Sequence, residues 1–375
     1  MTHIIVVGGG IIGMLTAREF SQDGNQVTLV ERRLLGQECS WAGGGILSPL
    51  YPWRYPDSIT ALARWSQSAY PQLCQSLLKS TGLDPEYTSN GMLVMADSEQ
   101  VSATTWAHRH QIQLELISQA TSAQLEPAQA QSTLPSIWMP NVAQVRTPRL
   151  AKALAADLEQ RGVAIRTELA VTGLALHQDR VAGIQTGNGK LEADAVVVCA
   201  GAWTAELLKP VISAPDIRPV RGQMLLFKAA PGVIRRIVLQ DNRYVIPRRD
   251  GHILFGSTLE ETGFDQTTTD AARLELHTIA TERFPILKNY PLVKQWAGLR
   301  PGSPAGIPFI ASHPDAKGLY INAGHFRNGV VLGPASARLM VDIVTGNAPI
   351  LPLEPYTLNA PRASYPHHLD REWDQ

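Results

Sequence analysis

Two groups of residues in this chain have the types and spacing to do chemistry. At the amino end, Gly8, Gly10 and Gly13 follow the apolar run His3-Ile-Ile-Val-Val7 in a G-x-G-x-x-G spacing, the pattern of a dinucleotide site. The first glycine lets the chain turn, the second lets backbone approach a pyrophosphate with no Cβ in the way, and the third lets helix pack close on strand. The N–H groups and positive dipole end of the following helix then hold the diphosphate. Glu31 ends the next apolar run, Gln26-Val-Thr-Leu-Val30, eighteen residues past Gly13. There a carboxylate can accept hydrogen bonds from an adenosine ribose. Near the other end, Arg300 sits in Trp296-Ala-Gly-Leu-Arg-Pro-Gly302 and Arg327 in Gly324-His-Phe-Arg-Asn-Gly329. A guanidinium held among Gly and Pro presents a fixed fork, suited to bidentate capture of a carboxylate. Tyr244, beside Arg243 on an expected strand, can donate to the same anion. The plain alternatives are a tight structural turn for the glycines, surface ion pairs for the arginines and a core position for the tyrosine.

The elements that must position these residues are legible in outline. A strand, a helix and a second strand open the chain, and Ser40-Trp-Ala-Gly-Gly-Gly-Ile46 makes a second glycine-rich loop. Residues 58–80 read as helix in two pieces, with Leu62, Trp65 and Ala69 on one face and a break or kink at Pro71. Gly91–Ala96 reads as a strand and 98–110 as a polar helix. Thr147-Pro148 supplies an N-cap and first position for a helix through Gln160. A hairpin-like region runs to about 192, and Asp194–Trp203 repeats the opening pattern, an apolar strand ending at Gly201. From Arg218 to Gln295 the pattern is one of alternating strands, with a hairpin at Asp250-Gly251 and a covering helix from Asp270 to Phe284. Gly318–Gly324 is again a glycine-ended strand, followed by a helix from about Gly329 to Val344. The fold class is therefore α/β, with a discontinuous nucleotide-binding domain (1–84, 145–215, 296–355). A second α+β domain on a mostly antiparallel sheet (85–144, 216–295) and a tail (356–375) complete the division.

Composition narrows the function. The 375 residues carry no formal net charge and no run of Lys or Arg, so nothing recruits nucleic acid or an anionic membrane. No apolar stretch approaches the ~20 residues of a transmembrane helix. Cys39, Cys74 and Cys199 lack paired spacing, which fits a reducing cytoplasm and argues against a zinc site or any other metal centre. No H-E-x-x-H, G-x-S-x-G or P-loop signature is present. The glycine-ended strands near residues 8, 201 and 324 should converge at one sheet edge. A nicotinamide enzyme usually keeps its nucleotide fold in one block, whereas contributions separated by three hundred residues favour FAD, whose isoalloxazine needs distant segments. His325, with no acid beside it, reads as packed near the flavin rather than as a base.

Gly8–Gly13, the Ser40–Ile46 loop, Tyr244–Gly251, Gly256–Glu260, Trp296–Gly302 and Gly324–Gly329 together resemble the D-amino-acid oxidase family of flavoproteins, from residue 1 to about 350. The resemblance implies a Rossmann-like FAD domain of the glutathione-reductase type and noncovalent FAD. It implies oxidative deamination of glycine and small amino acids such as sarcosine and some D-amino acids. The products are then an imine or glyoxylate, ammonia and hydrogen peroxide, the imine feeding the thiazole of thiamine. Arg300, Tyr244 and Arg327 would hold the amino-acid carboxylate. Flavin contacts would fall on Ile11, Ile12, Glu31, Arg32, Cys39, Ser40, Gly44, Gly45, Ile46, Val171 and the stretch His325, Phe326, Arg327, Asn328, Gly329, Val330 and Val331. Molecular oxygen is the implied second substrate and a homotetramer the implied assembly. Leu259 stands where some members have a Met near the substrate. Two other readings share these residues. One is a D-amino-acid or N-methyl-amino-acid dehydrogenase that hands electrons to a quinone or carrier; the other is a non-catalytic flavin- or NAD-binding protein. Peroxide release separates the first, and turnover the second.

Overall fold

The computed structural model describes residues 2–96, 98–130 and 135–363. His3–Val7, Gln26–Val30, Ala195–Val198 and Leu319–Ala323 are rich in Val, Ile and Leu, as strands covered on both faces must be. They form the centre of a six-stranded sheet in the order 309–312, 319–323, 195–198, 3–7, 26–30, 164–166. All neighbours are parallel except the edge strand Phe309–Ser312, which pairs antiparallel. The period of two divides the opening strand between two cores. Ile4 and Val6 pack with Met14, Leu15 and Phe20 of the helix Ile11–Gln22, while Ile5 and Val7 meet Leu174 and Ile184 of a three-stranded antiparallel sheet.

Register brings the glycine ends together. Val7 pairs with Val30 and Val198, and Val198 with Ile321. The chain therefore leaves three adjacent strands at the same level, toward Gly8, Gly201 and Gly324. A Cβ on Gly13 would fall 1.8 Å from the Gly8 carbonyl oxygen, so the first helix can lie this close to its strand only with glycine there.

The second sheet has eight strands in the order 292–302, 218–228, 252–256, 243–247, 237–240, 92–95, 136–139, 115–117. It is antiparallel except where Ile237–Gln240 meets Met92–Met95. The helix Asp270–Arg283, capped by the Thr269 side chain, buries Leu276 and Ala280 against Phe227 and Phe255 of this sheet.

Three expectations differ from the structure. Asp57–Thr81 is one helix that runs through Pro71. The lost N–H is offset by a buried face through Ile59, Leu62, Ser66 and Tyr70, with Trp65 and Ala69 at its margin. Thr147 is already helical and caps nothing; its hydroxyl donates to the Gly43 carbonyl at 2.7 Å. Residues 296–302, expected in the nucleotide-binding domain, continue the strand Leu292–Gly302, which pairs along Arg218–Lys228 in the broad sheet. The start of the tail is also anchored: the Tyr356 hydroxyl donates to Ser58 O at 2.8 Å, and the Arg362 guanidinium lies 3.7 Å from the Phe309 ring centre. Residues 364–375 lie outside the described part.

Candidate active site

Two contiguous clefts open at the glycine edge, of about 1160 and 1280 Å³. They share Gly10, Cys39, Ser40, Cys199 and Gly201. Gly8, Glu31, Arg32 and Val171 lie along the nucleotide-side cleft. Ile11, Ile12, Gly44, Gly45 and Ile46 lie along the other, with His325, Phe326, Arg327, Gly329 and Val330 opposite them in sequence. Three expected contacts stand back from both. Gly13 is the helix–strand contact, Val331 is core, and Asn328 forms the N-cap position of the helix Gly329–Thr345.

The electrostatics of this space favour an anion. The helices Ile11–Gln22 and Gly329–Thr345 both begin at its wall, each with no acid in its first turn and no cap from the side chain of its N-cap residue. Their positive ends therefore face a ligand. Ser40 Oγ accepts from Ile11 N at 2.8 Å and so ties the second glycine loop to the first helix. Glu31 is fixed at the end of its strand, accepting from Gly9 N at 2.7 Å and from Arg33 N at 2.9 Å. A carboxylate has about four lone-pair sites, so acceptor capacity is left over.

The second glycine loop is held from three directions. Trp296 Nε1 donates to Ala42 O at 3.0 Å, Thr147 Oγ1 to Gly43 O at 2.7 Å, and Arg248 Nη2 to Gly44 O at 2.7 Å. Arg248 is buried, and burial lowers its pKa to about 10. Sequence reasoning passed over Arg248 and gave Thr147 another task, because the signal is the register of distant segments.

At the substrate end, Arg300 makes three hydrogen bonds, to Ser257 Oγ at 2.7 Å, Thr258 O at 3.2 Å and Arg221 O at 3.3 Å. A guanidinium has five N–H donors, so two remain, enough for a bidentate carboxylate. The group rests against backbone: a Cβ on Gly222 would fall 2.1 Å from Arg300 Nη2. Arg327 and Tyr244 line the same cleft. Burial, together with the charge of Arg300, holds the Arg327 pKa below the ordinary arginine value, against the opposing effect of Tyr55 and Tyr244. Two cations this close in a cleft whose described lining contains no Asp or Glu mark a place for a carboxylate. The Tyr244 hydroxyl lies 3.7 Å from Met224 Sδ, and Met224 lines the cleft. Leu259 does not, whereas Leu50, which the sequence did not single out, lines it together with Met224.

His325 is buried, with Nε2 2.9 Å from Ser336 Oγ, and Ser336 gives its own proton to Leu332 O at 2.9 Å. Burial lowers the His325 pKa to about 3, so the imidazole is neutral. Cys39 is pushed up by burial, although Arg300 pulls in the other direction.

A dinucleotide fits these residues. The two clefts share lining residues, glycine lines them where backbone must come close, and the buried Asn322 Oδ1, on a residue lining the cleft, has no partner among the described residues. Residues 3–343 match the DAO family, described as FAD dependent oxidoreductase. The chain belongs to that family of FAD-dependent enzymes, and FAD is its cofactor. Among its relatives, the glycine oxidase of Pseudomonas aeruginosa is 48% identical over 94% of this chain and 98% of that one. The glycine oxidase of Pseudomonas putida is 46% identical over 94% and 97%. The crystal structure of glycine oxidase from Geobacillus kaustophilus superimposes with a TM-score of 0.91 at 25% identity, over 96% of this chain and 99% of that one.

Proposed function

We propose that the protein oxidatively deaminates glycine and other small amino acids, sarcosine and some D-amino acids among them. From glycine the products are an imine that hydrolyses to glyoxylate and ammonia, with hydrogen peroxide from the reduced oxygen; the other substrates give the corresponding imine, 2-oxo acid and amine. The observation that carries this reading is the meeting of Arg300, Arg327 and Tyr244 in a cleft with two helix N-termini. FAD held along these clefts would supply a hydride acceptor for the substrate Cα–H and a two-electron donor for O₂. Arg300 and Arg327 neutralise the substrate carboxylate, and Arg300 fixes its plane through the two donors left on its fork. Tyr244 adds a hydroxyl donor on the same side. With the carboxylate held, the substrate can turn only about the bond to Cα, which is the orientation a hydride transfer needs. No proton acceptor is required at Cα. The cleft agrees with this, since its described lining has no Asp or Glu, His325 is neutral with Nε2 engaged by Ser336, and burial keeps Cys39 protonated.

Met224 and Leu50 line the same cleft as Arg300 and Tyr244, and bulk there would favour substrates with little or no side chain. An imine released from such a site is the reactant that thiazole formation for thiamine consumes. The oxygen-dependent step and a homotetrameric assembly complete the proposal on the strength of the family resemblance.

The test is peroxide release from the purified holoenzyme offered glycine, sarcosine, D-alanine and D-proline in air. Glycine and sarcosine are expected to give peroxide in proportion to substrate consumed. Flavin bleaching by glycine without peroxide would favour a dehydrogenase with another acceptor. No bleaching by any of the four would sink the amino-acid assignment.

A further inference from the structure

We propose that residues 261–269 form a strap from the broad sheet that closes on Trp203 and Glu38 and retains the nucleotide half of bound FAD. The inference rests on the FAD assignment and concerns residues that the sequence patterns did not reach.

The strap is anchored at both ends in the broad sheet. The guanidinium of Arg221, buried at 5% exposure, binds Glu260 and Asp265 and donates to Thr267 O at 3.1 Å. At the carboxyl end, Thr269 N donates to Gln223 Oε1 at 2.9 Å just before the helix Asp270–Arg283 begins. Arg218 pairs with Glu261 at 3.0 Å. With its ends so fixed, the strap gains nothing from the core of its own sheet, and its residues are mostly exposed.

Phe264 and Gln266, on either side of the Asp265 anchor, instead reach the other half of the molecule. Phe264 packs on Trp203, ring centres 5.5 Å apart, and Gln266 Nε2 donates to Glu38 Oε2 at 2.8 Å. Trp203 also carries the Arg32 guanidinium, 3.8 Å from its ring centre. Glu38 receives Arg32 and Arg33, each at 3.1 Å. Arg32, Glu38 and Trp203 line the nucleotide-side cleft together with Glu31. The strap therefore holds Trp203 and Glu38 directly, and Arg32 through them, and ties these lining residues to the broad sheet. With these contacts made, Arg32, Glu38 and Trp203 are fixed in the positions from which they line the cleft. Removing either contact lowers the barrier to release and weakens binding.

The experiment is FAD release on dilution of the holoenzyme, followed by the rise in flavin fluorescence, with the dissociation constant taken from titration of the apoprotein. Phe264→Ala is expected to raise the constant roughly three- to tenfold, the range of a lost aromatic pair. Gln266→Ala is expected to raise it roughly threefold through the lost hydrogen bond. Each apoprotein should melt within a few degrees of wild type, because the deleted contact is also made without FAD. Unchanged FAD binding in both variants overturns the strap, as does FAD loss that only tracks a lower apoprotein melting temperature in both. Wild-type protein that takes up no FAD at all would overturn the cofactor assignment first, so the two failures are distinct.

Discussion

Arg300 was legible in the sequence, but the surface it lies on was not. Arg300 pairs with Val220 across two antiparallel strands, and Gly222 is the diagonal neighbour two residues along. Only that register explains why position 222 lacks a side chain, and register between segments eighty residues apart is not written in local pattern. Gly222→Ala would push a Cβ to 2.1 Å from Arg300 Nη2 and tilt the fork. Because a misplacement of about 1 Å can cost about a hundredfold, kcat/KM for glycine is expected to fall on that order while FAD content holds. Wild-type kinetics in this variant would show that the fork is not what orients the substrate. His325 gives a pH test. Its pKa is lowered from 6.5 to about 3 by burial, so the unfolded chain binds a proton in this window that the folded chain does not. Folding stability therefore falls as pH drops below about 6.5, by roughly 2 kcal/mol at pH 5, and is unaffected above. His325→Gln is expected to lose this increment. Denaturation curves of both proteins at pH 5 and pH 8 check it, and an equal pH effect in the two would contradict the buried neutral imidazole.

At the scale of elements, the central strands were readable because burial on both faces leaves them apolar runs, and the helix starts near residues 11, 204 and 329 because glycine ends the strand before each. The errors arose where tertiary contacts overrode a local signal. Thr-Pro normally signals an N-cap, yet the Thr147 hydroxyl is spent on Gly43 O. A helix in two pieces about Pro71 was expected, yet packing of Tyr70, Cys74 and Leu77 on the following turns keeps one helix. Thr147 thus belongs to the support of the glycine loop. Thr147→Val keeps the shape and deletes one donor, at an expected cost of about 1 kcal/mol in holoprotein stability, with Thr147→Ser retaining it. Urea midpoints for the three proteins decide this, and identical midpoints would mean the loop does not depend on the bond.

At the scale of the molecule, three glycine-ended strands separated by most of the chain meet at one edge, which the sequence anticipated. It did not anticipate that Leu292–Gly302 lies wholly in the broad sheet while carrying Leu299 to the nucleotide-side cleft and Arg300 to the substrate end. One strand therefore links both halves of the ligand space. Composition and period cannot reveal that, because it depends on how two sheets dock. The central claim is that Arg300 captures the carboxylate of an amino acid whose hydride goes to the flavin. The most direct measurement is anaerobic mixing of glycine with holoenzyme, following flavin absorbance, for wild type, Arg300→Ala and Arg300→Lys at matched flavin content. Wild type should bleach, Arg300→Ala should lose roughly a hundredfold or more in the second-order reduction rate, and Arg300→Lys should recover only part. Equal bleaching rates in wild type and Arg300→Ala, with FAD retained, would contradict it.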